Sequence, residues 1–295
     1  MAVSHADCII SFGARFDDRV TAKSDAFGTG ATIIQIDIEA EKIARTVPVD
    51  LPLVGDLFDI VPELIRKTDQ SELPSYDAWL GEIREFERSV PLRYDTDGTH
   101  LKPQQVITEI GRLFGERAII STDVGQHQMW CAQFYPFAHP RDFVTSGGLG
   151  TMGFGFPAAM GAKLSRPDKT LINITGDGSI LMNIQEMMSA VEHGIQVINV
   201  ILNNNFLGMV RQWQTLFLEE RFAQTDLSLQ PDFAVLAASF GGRGFRVSTL
   251  EELHSALEAA AAFEGPSLID VAVARFEQVL PMVAPGKALR EMIHL

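Results

Sequence analysis

Several things are scarce in this chain, and each shortage excludes a class of protein. Only two cysteines, Cys8 and Cys131, occur in 295 residues. They form neither a metal-like pair nor a disulfide framework, so a reduced, cytoplasmic setting is expected. No stretch approaches the roughly 18 consecutive apolar residues of a membrane span, and Met1–Phe12 lacks the basic start of a secretory signal. A soluble protein with no membrane partner is the expectation. Basic residues are outnumbered, 24 Lys and Arg against 38 Asp and Glu, for a formal net charge of −14. A nucleic-acid backbone would be repelled by such a surface. The acidity does not bar an anionic ligand, because a local nest of backbone N–H groups binds phosphate whatever the net charge. Internal repeats and low-complexity tracts are also missing.

Apolar residues make up 46% of the chain and charged residues 21%, enough to bury a sizeable core. Short apolar runs rich in β-branched residues predict strands at Cys8–Phe12, Thr32–Ile36, Ala118–Ser121, Thr170–Thr175, Val197–Leu202 and Leu268–Val273. Helical patterns lie between the later ones. Pro103 can open a helix whose apolar face is Val106, Ile107, Ile110, Leu113 and Phe114. Thr249 and Glu252 make a capping box before Leu250, Leu253 and Leu257. Strand–helix alternation of this kind predicts an α/β fold, a doubly wound parallel sheet covered by helices on both faces. Residues 68–102 are polar and acidic, carry Pro74 and Pro91, and show one helical pattern around Trp79, Ile83 and Phe86. They are expected to connect a partial α/β domain over residues 1–67 with a larger one over residues 103–295. The first segment supplies about two strands and two helices, too few to close a sheet of the usual four to six strands.

The strongest chemical signal is Gly176-Asp177-Gly178-Ser179 followed by Asn203-Asn204, with 24 residues (179–202) between Gly178 and Asn203. The run Leu171–Thr175 delivers the glycines to the carboxyl end of a strand, where open α/β sheets bind ligands. Gly176 and Gly178 permit close backbone approach to phosphate oxygens. Asp177 offers a hard anionic oxygen and Asn204 a neutral amide oxygen after the next strand. Magnesium takes oxygen ligands, commonly one or two from protein and the rest from phosphate and water. Each half alone reads as a turn or a loop; both together, each at a strand end and at this separation, resemble the cofactor fingerprint of the thiamine diphosphate enzyme superfamily.

Longer blocks narrow the family. Residues 146–153 (SGGLGTMG), 125–130 (GQHQMW), 208–214 (GMVRQWQ) and 13–20 (GARFDDRV) together resemble the catalytic subunit of acetohydroxyacid synthase, and the resemblance runs from Ala6 to Ile293. It implies a thiamine diphosphate-binding domain preceded by part of a FAD-binding-like domain. It implies that Asp177 and Asn204 bind Mg2+ through their side chains and Phe206 through its carbonyl. Gln126 and His127, with Gly176, Gly178 and Ser179, would hold the diphosphate. The backbone of Gly150 would accept from the aminopyrimidine, and Met152 would wedge between the cofactor's rings, its alternative being core packing. The alternative for His127 is a surface or cap histidine, but its place just after Asp123-Val124-Gly125 favours the functional reading. Met209, Val210 and Trp213 fall where the family takes its second substrate, although Trp213 could instead line an amphipathic helix facing the core. Arg15, Arg19, Asp37 and Asp56 resemble the family's contacts to FAD; the alternative around Arg15–Arg19 is a solvated charged loop.

The resemblance further implies a carboligase acting on pyruvate and a second 2-ketoacid, pyruvate or 2-ketobutyrate, in branched-chain amino acid biosynthesis. A homo-oligomer, or pairing with a chain that bears the family's N-terminal pyrimidine-binding domain, is implied as well, with a regulatory small subunit as a further partner. No catalytic residue is assigned within the chain: the glutamate that activates the cofactor is expected from that N-terminal domain, which no part of these residues resembles. Two rival readings are another thiamine diphosphate enzyme such as a pyruvate oxidase, and a non-catalytic protein that binds the cofactor and magnesium.

Overall fold

A computed structural model describes residues 1–71, 73–96 and 98–294, and the chain forms two compact units, Met1–Arg93 with Leu280–Leu295 and Tyr94–Val279. The first unit is built on three parallel strands in the order β1 (Cys8–Phe12), β2 (Thr32–Asp37) and β3 (Leu51–Val54). Ile9 pairs with Ile33 and Ile36 with Leu53. β3 is absent from the strands expected of the sequence because Pro52 sits in it; at a sheet edge proline forfeits no ladder bond. A helix, α1 (Leu57–Thr68), follows, its N-terminus capped by the Asp56 Oδ1, which accepts from the Phe58 N–H at 2.8 Å. Phe16, Phe27, Ile33 and Val47 form this unit's small core, and Leu289 from the tail packs against it. The tail after Val279 thus groups with the first unit and not with the 103–295 span, and the stretch expected to connect the domains carries a helix, α2 (Asp77–Ser89).

Among the described residues the second unit holds six strands: β4 (Ala118–Thr122), β5 (Phe143–Thr145), β6 (Thr170–Gly176), β7 (Ile198–Asn203), β8 (Arg243–Val247) and β9 (Ser267–Ala272). All pair in parallel, in the order β5-β4-β6-β7-β9-β8. The helices are α3 (Pro103–Phe114), α4 (Gln126–Phe134), α5 (Gly155–Ser165), the single turn α6 (Asp177–Ile180), α7 (Glu186–Glu192), α8 (Gly208–Phe217), α9 (Phe233–Ser239) and α10 (Leu250–Ala261).

Alternation along the strands explains why helices cover both faces. Ile120, Ile172, Ile174 and Val200 point into a core shared with Val106, Ile110, Trp130 and Leu257 from α3, α4 and α10. Ile119, Leu171, Ile201 and Leu268 point the other way, onto Phe156, Met187 and Phe233 from α5, α7 and α9. A sheet buried on both sides needs this near-continuous apolar sequence. The fold is therefore the doubly wound α/β arrangement expected. β5 and β8 have no strong sequence signature because both are edges: β5 is three residues long and β8 carries Arg243 and Arg246. The Thr249–Glu252 capping box forms at the start of α10, each side chain bonded to the other residue's N–H at 3.2 Å. Among the described residues no helix is long and apolar enough to cross a membrane.

The chain reverses its winding at β4, adding β5 on one side and β6 on the other. The crevice at the carboxyl ends of β4 and β6 is the topological switch point of the sheet, where folds of this type bind ligands.

Candidate functional site

Three loops leave the carboxyl ends of neighbouring strands and border one cleft. Val124 and Gly125 lead from β4 into α4, Gly176 to Ser179 lead from β6 into α6, and Asn204 to Gly208 lead from β7 into α8. The cleft opens to solvent, spans about 510 Å³ with that open space included, and is also lined by Gln126, His127, Trp130, Met152, Met209 and Val210.

Glycine is required at its tightest points. A Cβ on Gly208 would lie 2.0 Å from the Gln126 Oε1, and one on Gly178 would lie 2.8 Å from the Leu207 Cδ2. Gly125 has φ +155°, and a Cβ there would meet the His127 ring at 2.9 Å. Side-chain bulk at any of these positions would fill the cleft or displace the groups that line it.

Asp177 is the first residue of α6 and is 2% exposed. Its Oδ2 is buried without a hydrogen-bond partner. Burial pushes its pKa up to about 7, against the opposing pull of backbone N–H groups at Gly178 and Asn205. His127 is likewise buried, and its Nε2 has no partner. Burial outweighs the nearby Asp123 charge and draws the imidazole pKa down to about 4, so the ring is neutral at pH 7. Buried polar atoms without partners are rare in folded proteins. Two of them border the same cleft, and a hydrogen-bonding or cationic ligand would satisfy both.

Asn204 is buried beside them. Its Oδ1 accepts from the Phe206 N–H at 3.0 Å, and its Nδ2 donates to the Gln126 Oε1 at 3.3 Å. The Gln126 Nε2 in turn donates to the Gln212 Oε1 at 2.8 Å and to the Glu277 carbonyl at 3.0 Å. The Ser179 hydroxyl reaches the Val124 carbonyl at 3.4 Å. Among the described residues no three His, Cys, Asp or Glu side chains converge as a metal cage. A cation here would rely on few protein oxygens and on its ligand, the habit of magnesium with phosphates.

The structure thus gathers Gln126, His127, Met152, Gly176, Asp177, Gly178, Ser179, Asn204, Phe206, Met209 and Val210 around one cleft. Gly150 stands outside it, exposed, with φ +66°. Trp213 also stands off the lining, half-buried on α8 with its ring edge-to-face against Phe217 at 5.4 Å. In the first unit, Arg15 is exposed and paired with Asp17 at 2.8 Å, Arg19 is exposed, and Asp37 is buried, accepting from the Glu39 N–H at 2.9 Å. Arg15, Asp37 and Asp56 lie just beyond or at the carboxyl ends of β1, β2 and β3. Sequence reasoning passed over Gln212, Glu277 and Asp123. The first two are distant in sequence from Gln126, whose amide they hold, and Asp123 follows β4 with only its place after a strand to mark it.

Comparison with known proteins agrees with this geometry. Residues 123–271 match the thiamine pyrophosphate enzyme C-terminal TPP-binding domain, and residues 1–64 match the central domain of the same enzymes. The chain is 42% identical to the acetolactate synthase large subunit of Haemophilus influenzae, over 99% of this chain and 52% of that protein. It is 40% identical to the acetolactate synthase isozyme 3 large subunit of Escherichia coli K12, with the same coverage. It is 40% identical to the probable acetolactate synthase large subunit of Methanocaldococcus jannaschii, over 99% of this chain and 50% of that protein. The chain spans about half the length of the curated relatives it matches. With its carboxyl-end cleft, its Gly176–Ser179 turn beside Asn204, and matches to both the central and the C-terminal domain, the chain belongs to the thiamine pyrophosphate enzymes.

Proposed function

We propose that the chain forms the diphosphate- and metal-binding part of an acetolactate synthase large subunit. The observation that carries this reading is the pair of buried, unpartnered atoms, Asp177 Oδ2 and His127 Nε2, on two residues that line a glycine-walled cleft at the switch point of the sheet. These residues fit the group the family implies. Asp177 and Asn204, with the Phe206 carbonyl, would hold Mg2+. Gly176, Gly178 and Ser179 would face the diphosphate with backbone N–H groups, together with Gln126 and a neutral His127, which can donate without adding charge. A cation beside Asp177 would return its carboxyl to the ionised form that burial disfavours.

When bound, thiamine diphosphate supplies a nucleophilic carbon and an electron sink for decarboxylation of a 2-ketoacid. The chain's own residues bind, orient and exclude water. Met152 would present apolar surface to the cofactor, and Met209 and Val210 would shape the space for the second ketoacid, with Trp213 and the Gly150 backbone set back from the cleft wall. One extra methylene in such a pocket is worth about 1–3 kcal/mol, the size of preference expected between 2-ketobutyrate and pyruvate. The overall reaction joins two pyruvates into acetolactate with loss of CO2, or pyruvate and 2-ketobutyrate into acetohydroxybutyrate. The activating glutamate is expected from a pyrimidine-binding domain. The same reading assigns FAD to Arg15, Arg19, Asp37 and Asp56, and a cytoplasmic oligomer with a regulatory small subunit to the assembly.

The test measures thiamine diphosphate binding by calorimetry with and without Mg2+, then acetolactate formation from pyruvate with FAD present. Magnesium-dependent binding that is lost in Asp177→Ala, and acetolactate only when a separately expressed pyrimidine-binding domain is added, are the expected results. Product from the chain alone would place the activating acid within these residues. Absence of any magnesium-dependent cofactor binding would refute the proposal.

A further inference from the structure

Asp123 is 1% exposed and faces the loop that carries Met152. Its Oδ1 accepts from the N–H of Gly153 at 2.7 Å and of Gly155 at 3.1 Å. Its Oδ2 accepts from the Thr175 hydroxyl, on β6, at 2.8 Å. The Gly153 carbonyl accepts from the Asn183 Nδ2 at 2.7 Å. Both backbone groups of the residue next to Met152 are therefore held by side chains, one from the end of β4 and one from beyond α6.

The approach is too close for any residue but glycine. Gly153 has φ +90°, and a Cβ there would lie 2.8 Å from the Asn183 Nδ2 and 3.1 Å from the Met182 Cβ. Gly155 is enclosed further: a Cβ would meet the Asn173 Oδ1 at 2.4 Å, and its carbonyl accepts from the Ser121 hydroxyl at 2.8 Å. Ahead of this anchor, Gly147, Gly148, Leu149, Gly150 and Thr151 are all exposed, Leu149 to 95%. A stretch with three glycines loses much conformational freedom on ordering, and these exposed residues have few contacts to oppose that loss. Charge-assisted bonds from a buried carboxylate to backbone N–H groups are among the stronger ones available.

We infer that Asp123 and Asn183 are positioning residues that set Met152 in the cleft by gripping Gly153 on both sides. The consequence for the cofactor rests on the reading that this cleft holds thiamine diphosphate; the positioning itself does not. A bland role for Asp123, capping the first turn of α5 through Gly155, would stabilise that helix without controlling Met152.

Methionine-methyl NMR separates the two. The chain is labelled with methyl-13C methionine, whose 10 methionines include Met152, assigned by Met152→Leu. In Asp123→Ala the Met152 methyl line is expected to move to the position of free methionine and sharpen. In Asp123→Asn it stays, since the amide oxygen can accept both N–H groups while the NH2 donates to Thr175. Asn183→Ala removes the Gly153 carbonyl's partner, along with an exposed 3.3 Å bond from the Gln185 Nε2, and leaves the α5 bond intact, and it too moves the line. A Met152 line unchanged in both alanine variants, or already at the free position in the wild type, overturns the inference. Should Asp123→Ala fail to fold by circular dichroism, Asn183→Ala decides by the same criterion. Addition of thiamine diphosphate and Mg2+ to the wild type then shifts the Met152 line if the cofactor reading holds. No shift refutes that reading alone, and the variant spectra still decide the positioning.

Discussion

Gly208→Ala is the sharpest probe of the cleft wall. The residue opens α8 with ordinary helical backbone, so alanine brings no strain of its own and slightly favours the helix, by at most about 1 kcal/mol. The new Cβ, however, would stand 2.0 Å from the Gln126 Oε1 and 2.9 Å from the Asn204 Nδ2. Gln126 has to retreat by roughly 1.5 Å to restore van der Waals contact. That movement breaks the 3.3 Å bond from Asn204 and pulls on the bonds to Gln212 at 2.8 Å and Glu277 at 3.0 Å. Buried hydrogen bonds contribute about 1 kcal/mol each, and an orphaned partner costs about 1–3 kcal/mol. The net loss expected is about 2–3 kcal/mol. In a Gln126→Ala background the clashing oxygen is gone and only the 2.9 Å approach to the Asn204 Nδ2, the end of a side chain then free of its Gln126 bond, remains, so the same substitution costs much less. Urea unfolding of the four chains, wild type, both single variants and the double, measures the coupling directly. Equal cost of Gly208→Ala in both backgrounds, or no cost in the wild type, would refute the reasoning.

Asp177 carries a pH signature in the metal-free chain. Its folded pKa is raised from 3.8 to about 7 by burial, so the native state holds a proton that the unfolded chain has lost. Stability therefore falls as pH rises from about 4 to about 7 and then levels, by up to about 4 kcal/mol. Asp177→Asn is expected to flatten that slope, with melting temperature against pH as the measurement, and to remove the stabilisation conferred by Mg2+ with thiamine diphosphate. Lys102 and Glu277 pair at 2.6 Å with only 18% and 15% of their side-chain surface exposed, and Gln104 also bonds Glu277. Lys102→Met, which leaves that carboxylate without its cation, is expected to cost about 3 kcal/mol in urea unfolding, and Lys102→Met with Glu277→Leu much less. Thr249→Ala removes one half of the capping box of α10 and should cost about 1 kcal/mol by the same assay, while Thr249→Ser costs little.

What the sequence by itself determined is local. Runs such as Leu171–Thr175 mark β6 because a buried parallel strand must be apolar on both faces, and the structure places β6 at Thr170–Gly176. Gly176 to Ser179 and Asn204 reach one cleft because each follows directly from one of two neighbouring strands, β6 and β7. The α10 capping box is read from four consecutive residues. What depends on distant partners was settled only by the tertiary structure. Gln126 is held by Gln212 and Glu277, 86 and 151 residues away, and Gly153 by Asp123 and Asn183, each 30 residues away. The tail after Val279 joins the first unit, a grouping no local pattern announces. Trp213 and Gly150 share motifs with cleft residues yet stand off the lining, because helix rotation and loop path decide which side of a motif faces inward. The raised pKa of Asp177 and the lowered pKa of His127 come chiefly from desolvation, a sum over every atom that excludes water. That sum exists only once the chain is folded, and it turns two polar residues of the sequence into a candidate binding site.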